Sequence, residues 1–443
     1  MTQKKNVLIF LTMILLLPML ARLTTVRVSA QEEMTPEWTY EDDDKFSTVT
    51  ISADGRYIGA GTSNTNKFHL FRGNLLLWEY PVGNISSISM SSDGKYIAIG
   101  TESDFYLFDR ESSSPLLTYP VEHESSVVAV SSDGKYIIVG SMPTAYLQNA
   151  ESKLYMFERE QPTPTWTKTL SGILESLSMS SNGDYIVAST SLPGMMYVFA
   201  TEQEIPLWNY TFGNWSGGVR ISSNGNYIVA TGGDQVYGTN LTHVPRVFLF
   251  ARQNSFPFYQ KMVLEVPSSR GVSISSNGSI FAISYTISEI MLFNKNIQPY
   301  GPNSLRFVSL PAPRVSMTMS SDGRYIFVGT VEGIFIYEYW DNTLNLKKEY
   351  TTNNPFINDI ASSSDGRYVV AVGHWGSSDN EHSLIYFFEN FHEKESTTDP
   401  LAQWGPLTVG VIAIAGTAGF VFYRRRKISK NSPHKIIEVI SKP

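Results

Sequence analysis

One short phrase recurs eight times along the 443 residues and limits what the chain can fold into more than any other feature. Ser52-Ala53-Asp54-Gly55-Arg56-Tyr57-Ile58 is followed by Ser91-Ser92-Asp93-Gly94-Lys95-Tyr96-Ile97 and by Ser131-Ser132-Asp133-Gly134-Lys135-Tyr136-Ile137. The phrase returns at Asn182-Gly183, Asn224-Gly225, Asn277-Gly278, Asp322-Gly323 and Asp365-Gly366. The acid or amide positions are separated by 39, 40, 49, 42, 53, 45 and 43 residues. Such spacing marks one supersecondary unit of about 44 residues, copied eight times, that buries a core only by packing on its neighbours.

Each unit reads as strands. Before the turn, apolar residues alternate with small or polar ones, as in Ile88/Met90, Val128/Val130, Leu177/Met179, Val219/Ile221 and Val272/Ile274, which is the period of a β-strand. Asp-Gly or Asn-Gly then supplies the positive backbone angles of a tight hairpin. The second strand starts with Tyr in seven copies, Ile280 being the exception, and the third ends in an aromatic: Phe71, Phe108, Phe157, Phe199, Phe250, Phe293, Tyr337 and Phe388. A fourth strand follows in most copies, as in Leu76-Leu77-Trp78-Glu79-Tyr80 and Leu207-Trp208-Asn209-Tyr210. The pattern predicts an all-β chain, an eight-bladed β-propeller with four-stranded blades. The last copy runs from its third strand straight into a polar linker, while Glu37-Trp38-Thr39-Tyr40 stands before the first. This N-terminal segment is expected to supply the missing fourth strand and close the ring, which removes two exposed sheet edges.

These residues resemble the WD-repeat propellers, and more closely the exported propellers of archaea and bacteria that share a Ser-Ser-Asp-Gly-x-Tyr-Ile turn and a Leu-Tyr-x-Phe strand. The resemblance spans residues 37–389. It departs from the WD-repeat pattern where Trp-Asp is replaced by Phe108-Asp109, Phe157-Glu158, Phe199-Ala200 and Phe250-Ala251, and where Gly-His is missing before the first strand. The side-chain network that accompanies those residues in the family is therefore not implied. Eight blades are also similar to the quinone-dependent dehydrogenases. Their Thr-Gly-x-x-x-Trp docking motif is absent, since Trp78, Trp166 and Trp208 lack the preceding Thr-Gly. No quinone or other cofactor is expected.

The two ends carry membrane signals. Lys4 and Lys5, the apolar run Val7 to Leu20 and the small residues Val28-Ser29-Ala30 read as a signal peptide over 1–30. Trp404 to Tyr423 contains no charge and is followed by Arg424-Arg425-Arg426-Lys427. Its length suffices to cross a hydrocarbon core of about 30 Å, and the basic block directs the tail to the cytoplasm. The expected order is a signal at 1–30, an ectodomain at 31–389, a juxtamembrane linker at 390–403, a C-terminal transmembrane helix at 404–423 and a basic cytoplasmic tail at 424–443. The propeller of this single-pass membrane protein would then stand outside the cell. Ala415 and Gly419 form a small-xxx-small pair suited to self-association of such helices.

Charge follows the same division. Residues 1–30 carry +4 and residues 424–443 hold seven Lys/Arg against Glu438, so the net charge of -7 leaves -17 between them. An exterior this acidic repels phosphate backbones, which argues against a nucleic-acid partner. The chain has no Cys, which excludes a disulfide scaffold, a thiolate metal site and a cysteine nucleophile. An exported chain without Cys also fits an archaeal source.

No catalytic motif stands out. Asp54, Asp93, Asp133, Asp322 and Asp365 share one turn position, so turn formation accounts for them. The run Glu41-Asp42-Asp43-Asp44 and the triplet Glu122-His123-Glu124 read as solvated connections. His374 and His382 share a segment with Trp375, Asp379 and Glu381, but their spacing matches no metal motif; no metal site is assigned. Arg220 is singular, because the other first strands carry Thr50, Ser89, Ala129, Ser178, Ser273, Thr318 and Ala361 at that position. It is expected either to satisfy a neighbouring carboxylate or to reach the central channel or one blade interface as an anion contact.

The longest connections between second and third strands, Ser141–Ser152, Gly232–Pro245 and His374–Glu381, emerge on the face that also carries the inter-blade loops. A rigid scaffold with variable loops on one face is arranged for binding. The predicted contact residues are Tyr146 and Gln148 in blade 3, Trp215, Asp234 and Tyr237 in blade 5, Arg270 in blade 6, and His374 and Trp375 in blade 8. Glycosylation sequons stand at Asn84, Asn209, Asn214, Asn240 and Asn277. The function expected is a non-catalytic, membrane-anchored module that recognises a protein or surface glycan. The alternatives are a structural envelope or adhesion component and an exported quinone or metal enzyme.

Overall fold

The computed structural model describes residues 32–389 apart from 43, 64–65, 123–124, 144–149, 236–242, 254, 266–270, 287, 297–304, 352–355 and 378–379. The segments expected as signal, juxtamembrane linker, transmembrane helix and basic tail lie outside the described residues. Among the described residues no helix is long and apolar enough to cross a membrane.

Each repeat forms one sheet, seven of four strands and one of five. Blade 1 is typical, with antiparallel strands Phe46–Ile51, Tyr57–Thr62, Lys67–Arg72 and Leu75–Pro81. First strands of consecutive blades lie side by side around the channel, and burial is greatest in the second and third strands. Ile97, Ala98 and Ile99 in the second strand of blade 2 are fully buried, so both its faces are covered. The fourth strand alternates exposed and half-buried residues, as a strand with one face in solvent must. The core is therefore divided among the contacts between blades. One cluster joins Phe68, Leu70 and Val82 of blade 1 to Ile97, Ile99 and Phe108 of blade 2.

The recurring turn is a small hydrogen-bonded device. In all eight copies the first Ser donates its Oγ proton to the Asp or Asn Oδ1 two residues on, at 2.6 to 3.0 Å. The same Oγ accepts the N–H that opens the second strand, as Tyr96 does toward Ser91 at 3.0 Å. Burial would raise the Asp93 carboxyl, but donors from Ser91 and from the Lys95 N–H outweigh it and hold its pKa below the usual range. These acids are turn acceptors, as their periodic placement indicates.

The glycine of the turn has φ of 67 to 78° in every copy. Its missing side chain also makes room for the preceding blade: a Cβ on Gly134 would lie 2.3 Å from the Tyr96 ring, and one on Gly55 would lie 2.1 Å from Tyr368. A cation from the next blade covers the same tyrosines, Arg110 over Tyr57 at 4.4 Å and Arg159 over Tyr96 at 4.3 Å. Between these turns runs a closed circuit of backbone bonds. Ala53 N–H donates to Ser92 C=O, Ser92 to Ser132, and so on through Ser181, Ser223, Ser276 and Ser321 to Ser364, whose N–H returns to Ala53, all at 2.8 to 3.1 Å.

The ring closes as the sequence predicts. Trp38–Asp42 pairs antiparallel with the third strand of blade 8, Trp38 opposite Phe387 and Asp42 opposite Ser383. One addition was not expected: Glu32–Glu33 pairs in parallel with Thr343–Tyr350, so the same N-terminal segment adds a fifth strand to blade 7. Met34 between them is 6% exposed and packs with Tyr350, Tyr386 and Phe388.

At this seam His69 is fully buried. Its Nε2 lies 3.5 Å from Asp42 of the closing strand and 3.3 Å from Glu79 of blade 1, with Tyr40 and Phe46 rings beside it. Burial lowers its pKa below the ordinary 6.5, although Asp42, Glu79 and Asp44 pull it upward and Lys67 assists the lowering. A histidine held neutral in the fold contributes stability that is fully present above its unfolded pKa and is lost as pH falls through the folded value. The thermal midpoint is accordingly expected to fall between pH 7 and pH 5, and His69→Phe should flatten that decline. Equal slopes in the two proteins would assign the pH dependence elsewhere.

Candidate binding rim and channel

In a meander of four strands the Asp-Gly turns occupy one end of the channel, and the inter-blade connections share the other with the links between second and third strands. The structure changes the character of those links. In blade 5, Tyr227–Gln235 stays paired with His243–Gln253 out to Gln235 opposite His243. In blade 8, Val369–Ser377 pairs with Asn380–Phe388 out to Ser377 opposite Asn380. Segments expected as loops are thus two-stranded arms, because continuing the ladder satisfies backbone groups that a loop leaves to water.

Placement of the predicted contact residues is uneven. Tyr146, Gln148, Tyr237 and Arg270 lie outside the described residues, as does Asn240. Asp234 stands on the blade 5 arm opposite Val244, and Trp375 on the blade 8 arm opposite His382. His374 is half-buried, its ring stacked 4.9 Å from that of Phe356, so it serves packing at the base of the arm. Trp215 is not the exposed anchor expected of it. It is 8% exposed and lines the channel cavity, because it opens a first strand instead of ending a loop. Among the sequons Asn84, Asn209 and Asn277 are exposed and Asn214 is half-buried; the Asn277 Oδ1 is engaged in its turn by Ser275 and the Ser279 N–H.

Channel-facing hydroxyls stitch blade 2 to blade 3 and blade 4 to blade 5. The Val130 N–H donates to Ser89 Oγ at 3.1 Å and the Ile221 N–H to Ser178 Oγ at 3.3 Å. Asp359 takes this role where blade 8 meets blade 1. Its Oδ2 accepts from the Val49 N–H and Thr48 Oγ1, both at 3.1 Å, and its Oδ1 accepts from Ser316 Oγ and the Ile360 N–H, both at 2.9 Å. One carboxylate thereby ties blades 7, 8 and 1. Burial raises its pKa, and these donors only partly oppose the rise. Asp359→Ala leaves several of them unsatisfied and is expected to cost about 2 kcal/mol, read as a lower denaturation midpoint; Ser87→Ala, which removes a single acceptor for the Val128 N–H, should cost less.

Of the two roles expected for Arg220, the first is overturned. Nη1 donates to Ser176 Oγ at 3.1 Å and to its own neighbour's carbonyl, Val219 O, at 2.8 Å. No carboxylate among the described residues lies within ion-pair distance. Channel solvent reaches the side chain, while the surrounding protein desolvates it enough to lower its pKa; a guanidinium stays charged regardless. It borders a cavity of about 340 Å³ built from blades 4 to 7.

Sequence reasoning singled out Arg220 but missed Asp359 and Glu175, which also borders the cavity. The signal for Asp359 was present six residues before the turn acid. There the copies carry Thr48, Ser87, Val127, Ser176, Gly218, Gly271 and Ser316, and then the acid. Glu175 gave less warning, because it is the extra residue of a β-bulge between Leu174 and Ser176, and a bulge alters which side chains face inward.

No protein-family model matches the chain, and no curated protein matches it. Solved structures do. The C-terminal WD40 domain of Sif2 aligns with a TM-score of 0.58 at 14% identity, over 80% of this chain and 99% of that one. The β-propeller domain of Myceliophteria thermophila Cps50 (Swd1) aligns with a TM-score of 0.50 at 10% identity, over the same shares of each chain. At these identities the likeness establishes the fold: an eight-bladed β-propeller with WD40 structural neighbours.

Proposed function

We propose that the chain is a non-catalytic recognition module that holds a protein partner or a surface polymer on the rim bearing the arms of blades 5 and 8 and the long connection of blade 3, presented outside the cell by its C-terminal apolar segment. The observation that carries the reading is the asymmetry of the two ends. One end repeats the same tight turn eight times, whereas the other bears paired strands that outrun the blades, such as Gly233–Gln235 against His243–Pro245. WD40-like propellers typically mediate protein interactions, which supports a polypeptide partner. The charge of -17 between the termini favours a basic one through long-range attraction. Membrane anchoring rests on the uncharged run 404–423 and the basic block after it.

Mild crosslinking in intact cells, followed by capture through a C-terminal tag, tests this reading. One stoichiometric partner is expected, and removal of residues 235–243 from the blade 5 arm should reduce its capture. Recovery of the chain crosslinked only to itself would replace recognition with a structural, self-assembling role.

A further inference from the structure

The cavity beside Arg220 is built unlike the rest of the channel wall. Its border includes Trp215 and Arg220 of blade 5, Glu175 and Ser176 of blade 4, Val272 of blade 6 and Met317 of blade 7. We propose that it is a binding site for a small monocarboxylate, held by the guanidinium of Arg220 with its apolar body against Trp215, Val272 and Met317. This site is independent of whatever partner the rim takes.

Three observations converge on it. Both hydrogen bonds of Arg220 use Nη1, so among the described residues Nε and Nη2 have no protein acceptor. Together they present the two parallel donors that match a carboxylate. The bonds to Ser176 and Val219 hold the side chain in place before a ligand arrives, which reduces the ordering cost of binding. The cavity, about 340 Å³, is at the small end of the range for ligand pockets.

Charge selects the class of anion. Among the described residues Arg220 is the one cation bordering the cavity, which Glu175 and Ser316 also border. A single guanidinium matches the one charge of a monocarboxylate better than the two of a phosphate or sulfate dianion. A carboxylate can arrive as a free small acid or as an acidic side chain of an inserted polypeptide, and the two are separable by experiment.

Calorimetric titration of the purified full chain with butyrate, with an N-acetylated Glu-containing tripeptide amide and with sulfate provides the test. Saturable binding of butyrate or of the peptide, but not of sulfate, is expected, and the stronger of the two identifies the source. Arg220→Met should weaken that binding at least ~10-fold, the equivalent of about 1.4 kcal/mol, and Arg220→Lys should fall between. Met317→Trp, which fills the cavity from the opposite wall without altering charge, should also abolish it. Circular dichroism and melting curves check that each variant is folded. Absence of carboxylate binding to the wild-type chain, equal binding to Arg220→Met or Met317→Trp, or preference for sulfate would each overturn the proposal.

Discussion

Removing residues 32–42 is expected to lower the thermal midpoint of the propeller by at least ~10 °C, with midpoint shifts of a few degrees per kcal/mol. The deleted segment is short, but it reaches blades 7, 8 and 1 at once. Trp38 stacks on Phe387 with centroids 5.2 Å apart, and Tyr40 meets Phe71 of blade 1 edge-on at 4.9 Å. The main chain adds the Met34 N–H to Glu349 O at 2.7 Å and the Glu37 N–H to Phe387 O at 2.8 Å. Loss of a fully buried large aromatic costs about 3–5 kcal/mol; Trp38 and Tyr40 are half-buried, so each contributes less, and with the strand's hydrogen bonds they amount to a large fraction of the stability of a typical domain. Removal also leaves the third strand of blade 8 as an exposed edge, and aggregation on heating should accompany the shift. Trp38→Ala alone should reproduce about a third of the effect. A melting curve unchanged by the deletion would show that the seam holds without its strand.

Gly55→Ala is expected to be the most damaging single substitution among the turns, and Gly73→Ala supplies its control. Both glycines have positive φ, 76° and 55°, so both alanines incur the left-handed strain of about 1–2 kcal/mol. They differ in surroundings. A Cβ at Gly73 meets nothing within 4 Å, whereas one at Gly55 lies 2.1 Å from Cδ2 and 2.9 Å from Cβ of Tyr368. Ring rotation relieves the first contact but not the second, which is fixed to the backbone of blade 8. The seam must therefore open, and an added cost of about 2 kcal/mol is expected from overpacking. Equal losses in urea or thermal unfolding of the two variants would mean that the blades shift apart freely.

The repeating parts of this molecule were legible because eight copies average out local noise. A single Ser-Ser-Asp-Gly-Lys-Tyr-Ile is only a turn; repeated, it places the channel, the blade order and the closing Trp38 strand. What escaped were features belonging to one copy or to no copy. Glu32–Glu33 pairs in parallel with a distant strand, and nothing in two glutamates announces a partner more than 300 residues away. Trp215 was misjudged because position in a linker and position at the head of a first strand look alike in sequence, yet one faces solvent and the other the channel. His374 shows the same limit, since the polar stretch around it forms a ladder whose register depends on its partner strand. His69 gave no warning because its two carboxylate neighbours come from different blades. Arg220 and Asp359 stand between these cases: aligning the copies exposes both as departures, and only coordinates show that they are not paired with each other.

The circuit of backbone bonds from Ala53 round to Ser364 and back bears on how such a gene changes. Every link has the same sense, each repeat donating an N–H to the carbonyl of the next and accepting one from the repeat before it, so no repeat is first and none is terminal. Gaining or losing one copy is then not a local edit. A ninth unit must break a link and alter the angle at every remaining contact, and none of the eight can be dropped without a gap. Copy number in this chain is a property of the whole ring, while differences inside a copy, such as Arg220 and Asp359, leave the circuit untouched.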